Sequence, residues 1–159
     1  PNEKDEINSS GSYGFIFDYC GIEIDQDTGK VTIDKYVTTH DAGNLLHPEM
    51  VNGQIQGAFA QAIGASFYEE LKYADNGEFL SGTFADYLVP TANEIPDTCI
   101  LHINTPSPFT PLGSKGVGEG NSMSTPVCIA NAIADAIESE NIDLPMTPPK
   151  IIDLISEIK

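Results

Sequence analysis

The sequence has no arginine and no tryptophan, and its seven basic residues are all lysines, set against 24 acidic ones. A formal charge of −17 argues against binding to nucleic acid or to anionic lipid. The bidentate guanidinium fork is also ruled out, so any phosphate must be held by backbone N–H groups, by Lys115 or by arginines of another chain. There are only three cysteines, Cys20, Cys99 and Cys128. Their wide spacing contains no C-x-x-C pair and no zinc pattern, and an odd, sparse set does not make a secreted disulfide scaffold. They are expected to be reduced thiols in a cytoplasmic protein. No apolar run reaches the roughly 18 residues that span a bilayer. No basic stretch precedes an apolar one in the manner of a signal peptide. Pro1 at the start fits either a removed initiator Met or a cut from a longer chain. No internal repeat is visible.

The 159 residues are 40% hydrophobic and 19% charged, which is enough for one domain with its own core. Residues 1–12 are polar and end in Ser9-Ser10-Gly11-Ser12, a flexible lead-in to a domain over residues 13–159. Aromatic and β-branched residues from Tyr13 to Ile24, the turn Asp25-Gln26-Asp27-Thr28-Gly29, and the continuation Val31, Ile33, Tyr36, Val37 predict strand, turn, strand, with Gly29 left-handed. Apolar residues at helical spacing predict a helix from Met50 to Leu71, opened by His47-Pro48-Glu49. Gly53, Gly57, Ala58, Gly64 and Ala65 crowd part of that helix, which suggests close packing against another backbone or a flat ligand. A strand over Thr98–Ile103, an irregular proline-rich stretch to Pro111, a helix capped by Thr125 with Pro126 at its first position, and a terminal helix over Ile151–Ile158 complete an α+β expectation of antiparallel strands with two or three packed helices.

Chemistry concentrates in Gly113-Ser114-Lys115-Gly116-Val117-Gly118-Glu119-Gly120. Four glycines let a ligand approach the backbone, and successive N–H groups can hold an anion without arginine. Glu119 is the only acidic side chain between Asp97 and Asp135. A carboxylate that loses water in such a pocket moves toward the range of a general base. Other readings are weaker. The loop lacks the Walker order, because Lys115 precedes Gly116 and no hydroxyl follows. A dinucleotide fingerprint would follow a strand directly. Asp25 to Gly29 starts like a calcium loop, but the twelfth position is Tyr36 rather than glutamate. Asp27-Thr28-Gly29 also looks like an aspartic protease triplet, which a hairpin turn explains better. His40, Asp41 and His47 are expected to make ordinary loop hydrogen bonds, with no third metal ligand spaced to help.

Three stretches, in order, resemble one family. Lys115-Gly116-Val117-Gly118-Glu119 resembles the carboxy-terminal catalytic motif of the molybdenum hydroxylases: xanthine dehydrogenase, aldehyde oxidase and aerobic carbon monoxide dehydrogenase. Asp41-Ala42-Gly43-Asn44, His47-Pro48 and Val51 to Ala58 are similar to that family's D-x-G-x-x-x-N-P-x-x-V-x-G-Q-x-x-G-G segment, with Leu46-His47-Pro48 in place of Asn-Pro and Ala58 in place of the second glycine. Phe84 to Pro90 followed by Pro106-Ser107-Pro108 is also family-like. The resemblance runs from about Tyr13 to the end.

It implies that this chain is the last part of a molybdopterin-binding region, either as a small subunit or as a fragment. It implies that Glu119 is the base for an oxygen transfer at molybdenum, in which oxygen attacks an electron-poor carbon while hydride leaves it. Gln54, Lys115, Gly116, Val117 and Gly118 would bind a molybdenum–molybdopterin cofactor, plain or in its cytosine dinucleotide form, shared with the remaining part of the molybdenum subunit. Iron–sulfur and FAD subunits would be further partners. No residue of this chain is expected to ligate metal, and the chain alone would bind little or no cofactor. The substrate, a small molecule, is chosen by residues absent from this sequence. The competing reading is a non-catalytic acidic interaction module with a structural glycine loop.

Overall fold

A computed structural model describes residues 12–140 and 142–158. The lead-in expected over residues 1–12 lies outside them apart from Ser12. Three strands and three helices follow in the order β1 (Phe15–Ile24), β2 (Val31–Asp41), α1 (Pro48–Phe67), β3 (Thr98–Ile103), α2 (Gly120–Ile137) and α3 (Pro148–Ile158). The sheet order is β1-β2-β3. The hairpin β1–β2 is antiparallel, as its turn chemistry requires, but β3 joins β2 in parallel. The class is α+β with a mixed sheet.

The hairpin turn closes as its residues dictate. The Asp25 carboxylate accepts from the N–H groups of Asp27 at 2.9 Å and Thr28 at 3.0 Å, and Gly29 takes φ 70°. A Cβ at Gly29 would also lie 2.3 Å from the Pro148 carbonyl oxygen. Between Gly21 and Ile22 the register slips by one residue on β2. The slip changes which residues of β2 point inward. Val31 and Ile33 face the core before it, and Tyr36, Thr38 and His40 after it, so that Asp34 and Lys35 are both exposed.

Helix α1 starts one residue after His47, whose Nδ1 accepts from Met50 N–H at 3.2 Å, with Pro48 at the first position. The core gathers Tyr36 from β2, Phe59 and Ile63 from α1, Ile129, Ile133 and Ile137 from α2, and Ile151 from α3, with Met146 between the last two helices. The Tyr36 and Phe59 rings lie 4.5 Å apart, tilted at 45°. No helix among the described residues is long and apolar enough to cross a membrane.

Four expectations change. Helix α1 ends at Phe67, four residues short of the expected Leu71. Helix α2 begins at Gly120, so Pro126 is inside the helix and Thr125 is not its cap. The Thr125 hydroxyl is buried and turned to Tyr36 and Asn121 instead. His40 and Asp41 belong to the end of β2 rather than to a loop. Helix α3 starts three residues earlier than its apolar spacing suggested, because Pro148 can occupy a first turn.

Candidate functional site

The end of β2 and the glycine-rich loop are laced together. Gly43 N–H donates to Asp41 Oδ1 at 3.0 Å, Lys115 N–H to the Ala42 carbonyl at 2.8 Å, and Asn44 N–H to the Gly113 carbonyl at 3.1 Å. The Asn44 side-chain amide donates to the Leu112 carbonyl at 2.9 Å. Gly43 and Gly113 both take positive φ, 62° and 70°, and a Cβ on Gly43 would lie 2.2 Å from the Gly113 carbonyl oxygen. Only glycine fits that crossing. The Asp-x-Gly-Asn stretch is therefore the seat on which the loop rests.

Lys115 secures the seat. Its ammonium lies 2.6 Å from Asp41 Oδ2 and 2.7 Å from Thr105 Oγ1. The Asp41 side chain is fully buried and also accepts from Thr105 N–H at 3.2 Å and from the Thr105 hydroxyl. Burial by itself would push the Asp41 carboxyl up; Lys115, Thr105 and the Gly43 amide outweigh it and hold the group well below the ordinary carboxylate range. Lys115 thus spends its charge inside the chain, and only its backbone is left for a ligand.

After Lys115 the loop is bare. A Cβ on Gly116 would meet nothing within 4 Å, and one on Gly118 would meet only the Gln54 side-chain nitrogen, at 3.9 Å. Gln54 of α1 therefore stands beside Gly118, although the two are far apart in sequence. Glu119 occupies the position just before α2 with φ −120° and ψ 35°, and its carboxylate makes no capping bond. It is exposed, and it lines a depression of about 1100 Å³ together with Gly116, Val117, Gly118, Phe17 and Cys20. The positive end of an 18-residue helix lies directly behind it. The structure thus brings Glu119, Gly116, Val117 and Gly118 to one concave surface, with Gln54 at Gly118 and the Lys115 side chain turned away. Among the described residues no group of three or more His, Cys, Asp or Glu side chains could hold a metal ion.

Beneath the loop lies a buried polar cluster that the sequence reading missed. Thr38 Oγ1 donates to Asp18 Oδ1 at 2.5 Å and lies 3.0 Å from His40 Nε2. The Tyr36 hydroxyl donates to Asp18 Oδ2 at 2.7 Å and lies 2.8 Å from Thr125 Oγ1. The Asn121 amide donates to Thr38 Oγ1 at 3.1 Å and to Thr125 Oγ1 at 3.2 Å. Burial pushes the His40 imidazole below its ordinary value and the Tyr36 phenol above its own. The cluster ties the first turns of α2 to the inner face of the hairpin. The signal available in sequence was polar residues, Asp18, Thr38 and His40, at positions that alternate with outward-facing ones.

The family model described as "Molybdopterin cofactor-binding domain" matches residues 1–96. The large subunit of nicotine 6-hydroxylase from Paenarthrobacter nicotinovorans is 37% identical over 147 residues, covering 91% of this chain and 17% of that protein. The carbon monoxide dehydrogenase large chain of Afipia carboxidovorans is 33% identical over 135 residues, covering 85% and 16%. Among solved structures, carbon monoxide dehydrogenase from Oligotropha carboxidovorans superposes with a TM-score of 0.88 at 28% identity, covering 92% of this chain and 19% of that one. Quinoline 2-oxidoreductase from Pseudomonas putida 86 superposes with a TM-score of 0.81 at 37% identity, covering 86% and 18%. The chain spans less than a fifth of the length of these relatives. It belongs to the molybdopterin cofactor-binding domain family, the domain carried by the large subunits of molybdenum hydroxylases.

Proposed function

We propose that this chain forms the carboxy-terminal part of the molybdenum site of a hydroxylase or dehydrogenase, and that Glu119 is its general base. The observation that carries the reading is the placement of a free carboxylate on the wall of the depression, on a loop fixed at one end and bare at the other.

The residues present fit a bound pterin. Gly116 offers backbone with open space where its Cβ would be, and Gly118 offers backbone that only the Gln54 amide approaches. Gln54 stands beside Gly118 and can donate its amide to a ring heteroatom. Gly116, Val117 and Gly118 can approach the cofactor through their backbone, and so can Lys115, whose side chain is committed to Asp41. When bound, the cofactor supplies the oxygen and accepts the electrons of a hydroxylation. Glu119 would take up a proton at a carboxylate oxygen in that reaction. Exposed Phe15, Phe17 and Tyr19 run along the outer face of β1, the edge strand of the sheet, and exposed Tyr13 precedes them. The remaining part of the molybdenum subunit is assigned to cover them, because a bare aromatic row on an unpaired edge favours association. Iron–sulfur and FAD subunits complete the assembly, in a cytoplasmic enzyme acting on a small molecule.

Glu119→Gln in the assembled enzyme tests the proposal. Turnover should fall by on the order of 10³-fold while molybdenum content is kept. Unchanged turnover would show the loop to be structural and favour the non-catalytic module.

A further inference from the structure

We propose that Asn121 is a positioning residue for Glu119: its amide heads a closed ring of hydrogen bonds that fixes where α2 starts, and with it the carboxylate two residues earlier. The ring stands on geometry alone, while its service to Glu119 rests on the function proposed above.

The direction of each bond follows from the number of protons present. The Asp18 carboxylate has none to give, so the Thr38 and Tyr36 hydroxyls, 2.5 Å and 2.7 Å from its two oxygens, both donate to it. Each hydroxyl has one proton, and both are then committed. Tyr36 Oη and Thr125 Oγ1 lie 2.8 Å apart, so the Thr125 hydroxyl is the donor there. Thr38 Oγ1 and Thr125 Oγ1 are left to accept, and the Asn121 amide reaches both, at 3.1 Å and 3.2 Å. His40 Nε2, 3.0 Å from Thr38 Oγ1, is a donor for the same reason. The bonds thus run one way around the ring. One arm passes from Asn121 through Thr38 to an Asp18 oxygen, and the other through Thr125 and Tyr36 to its twin.

The orientation of the amide is dictated by its neighbours. Asn121 is fully buried, and its nitrogen lies 3.5 Å from both Asp18 oxygens, where an amide oxygen would face a carboxylate. With the nitrogen inward, Oδ1 has no partner among the described residues. An unpaired buried acceptor is unfavourable. The fold tolerates it and keeps both N–H groups on the ring.

The ring is the second anchor of the loop. Between Lys115, clamped on Asp41, and Asn121 stand only Gly116, Val117, Gly118, Glu119 and Gly120. Glu119 makes no capping bond, and its carbonyl accepts from Ser122 N–H at 3.1 Å. Its place is therefore set by the first turn of α2, and Asn121 ties that turn to the hairpin. Asp18 and Glu119 line the same depression.

Reversing the ring tests it. Asn121→Asp keeps the shape, removes both donors and sets a second carboxylate against Asp18. Adding Asp18→Asn closes the ring again with every bond turned around, since the amide at position 18 then donates through Thr38 and Tyr36 to the carboxylate at position 121. In urea titrations of the 159-residue chain, Asn121→Asp should lower the midpoint and the double variant should restore most of it. In the assembled enzyme, Asn121→Asp should lower kcat on the order of 10²-fold with KM and molybdenum content held, and the double variant should regain about tenfold. A double variant no better than Asn121→Asp in urea overturns the ring, and so does a double variant that fails to fold. A restored midpoint with kcat unmoved throughout overturns the positioning role. Glu119→Gln in the same enzyme separates the two readings: if it keeps its turnover, the base assignment falls, and the urea result still decides the ring.

Discussion

The two halves of the glycine-rich loop are made of similar residues and behave oppositely. From Gly113 to Lys115 every element is engaged: the backbone crosses Gly43, the amides and carbonyls pair with residues 42–44, and the lysine is clamped on a buried carboxylate. From Gly116 to Glu119 little is engaged, since the glycines face open space and the glutamate makes no capping bond. Glycine therefore has two uses within eight residues. At Gly113 it is demanded by the chain's own backbone. At Gly116 and Gly118 no atom of the described residues demands it, and the proposed reading assigns the open space to an occupant of the depression. The locked half holds the bare half still.

The comparison breaks most severely at its two charged ends. Glu119→Gln should remove activity and leave the fold intact, because Glu119 supports nothing else. Lys115→Met should do the reverse to the fold. It leaves the Asp41 carboxylate buried without its counter-ion, a loss on the order of 3–5 kcal/mol. Urea unfolding of the 159-residue chain measures it, and a loss below about 1 kcal/mol would mean that the pair is not what fixes the loop. The same pair sets an acid limit. The Asp41 carboxyl titrates below its ordinary range when folded, so its contribution is complete above the unfolded-state value near pH 4 and disappears as pH falls through the folded value. Asp41→Asn should therefore differ most from the parent in urea midpoint near pH 7 and converge with it in strong acid. A difference that grows toward acid would contradict this.

What could be read from the sequence follows the same division between local and distant causes. The hairpin, its Gly29 turn, the α1 start at His47-Pro48 and the β3 strand are all written in neighbouring residues, and all appear where expected. The start of α2 was misread because Thr125-Pro126 looks like a cap. Here Thr125 and Asn121 give their side chains to Tyr36 and Thr38, partners about ninety and eighty residues earlier, and the helix tolerates a proline within it. The parallel docking of β3 and the commitment of Lys115 to Asp41 were hidden for the same reason. No local spacing reveals which residue arrives from 74 positions away.

Smaller effects sharpen the contrast between the two kinds of glycine. Gly14 belongs with the locked half, because a Cβ there would lie 2.6 Å from the Asp41 carbonyl oxygen and 3.2 Å from that of Gly116. Both obstacles are backbone, so Gly14→Ala must push β1 off the loop, at a cost of about 1–3 kcal/mol. Gly120→Ala is milder. Its nearest obstacle, at 2.0 Å, is the tip of the Ile16 side chain, which can rotate. A Gly120→Ala loss larger than that of Gly14→Ala in parallel urea titrations would show that the side-chain contact, not the backbone crossing, holds the loop.

Gly116→Ala should have the smallest effect on folding and is the most discriminating substitution. The added methyl meets nothing within 4 Å and the backbone there is not left-handed. Stability of the chain should therefore stay level or rise by up to about 1 kcal/mol, through a less disordered unfolded state. In the assembled subunit the same methyl would stand where the cofactor is proposed to meet bare backbone. Overpacking of about 1–3 kcal/mol there would lower affinity roughly tenfold to a hundredfold, and metal analysis of the purified enzyme would register it as lost molybdenum. Gly14→Ala provides the opposite pattern, with stability lost in the isolated chain before any cofactor is involved. If Gly116→Ala instead keeps its full molybdenum content, the open space in front of that glycine belongs to solvent, and the bare half of the loop loses its assigned occupant.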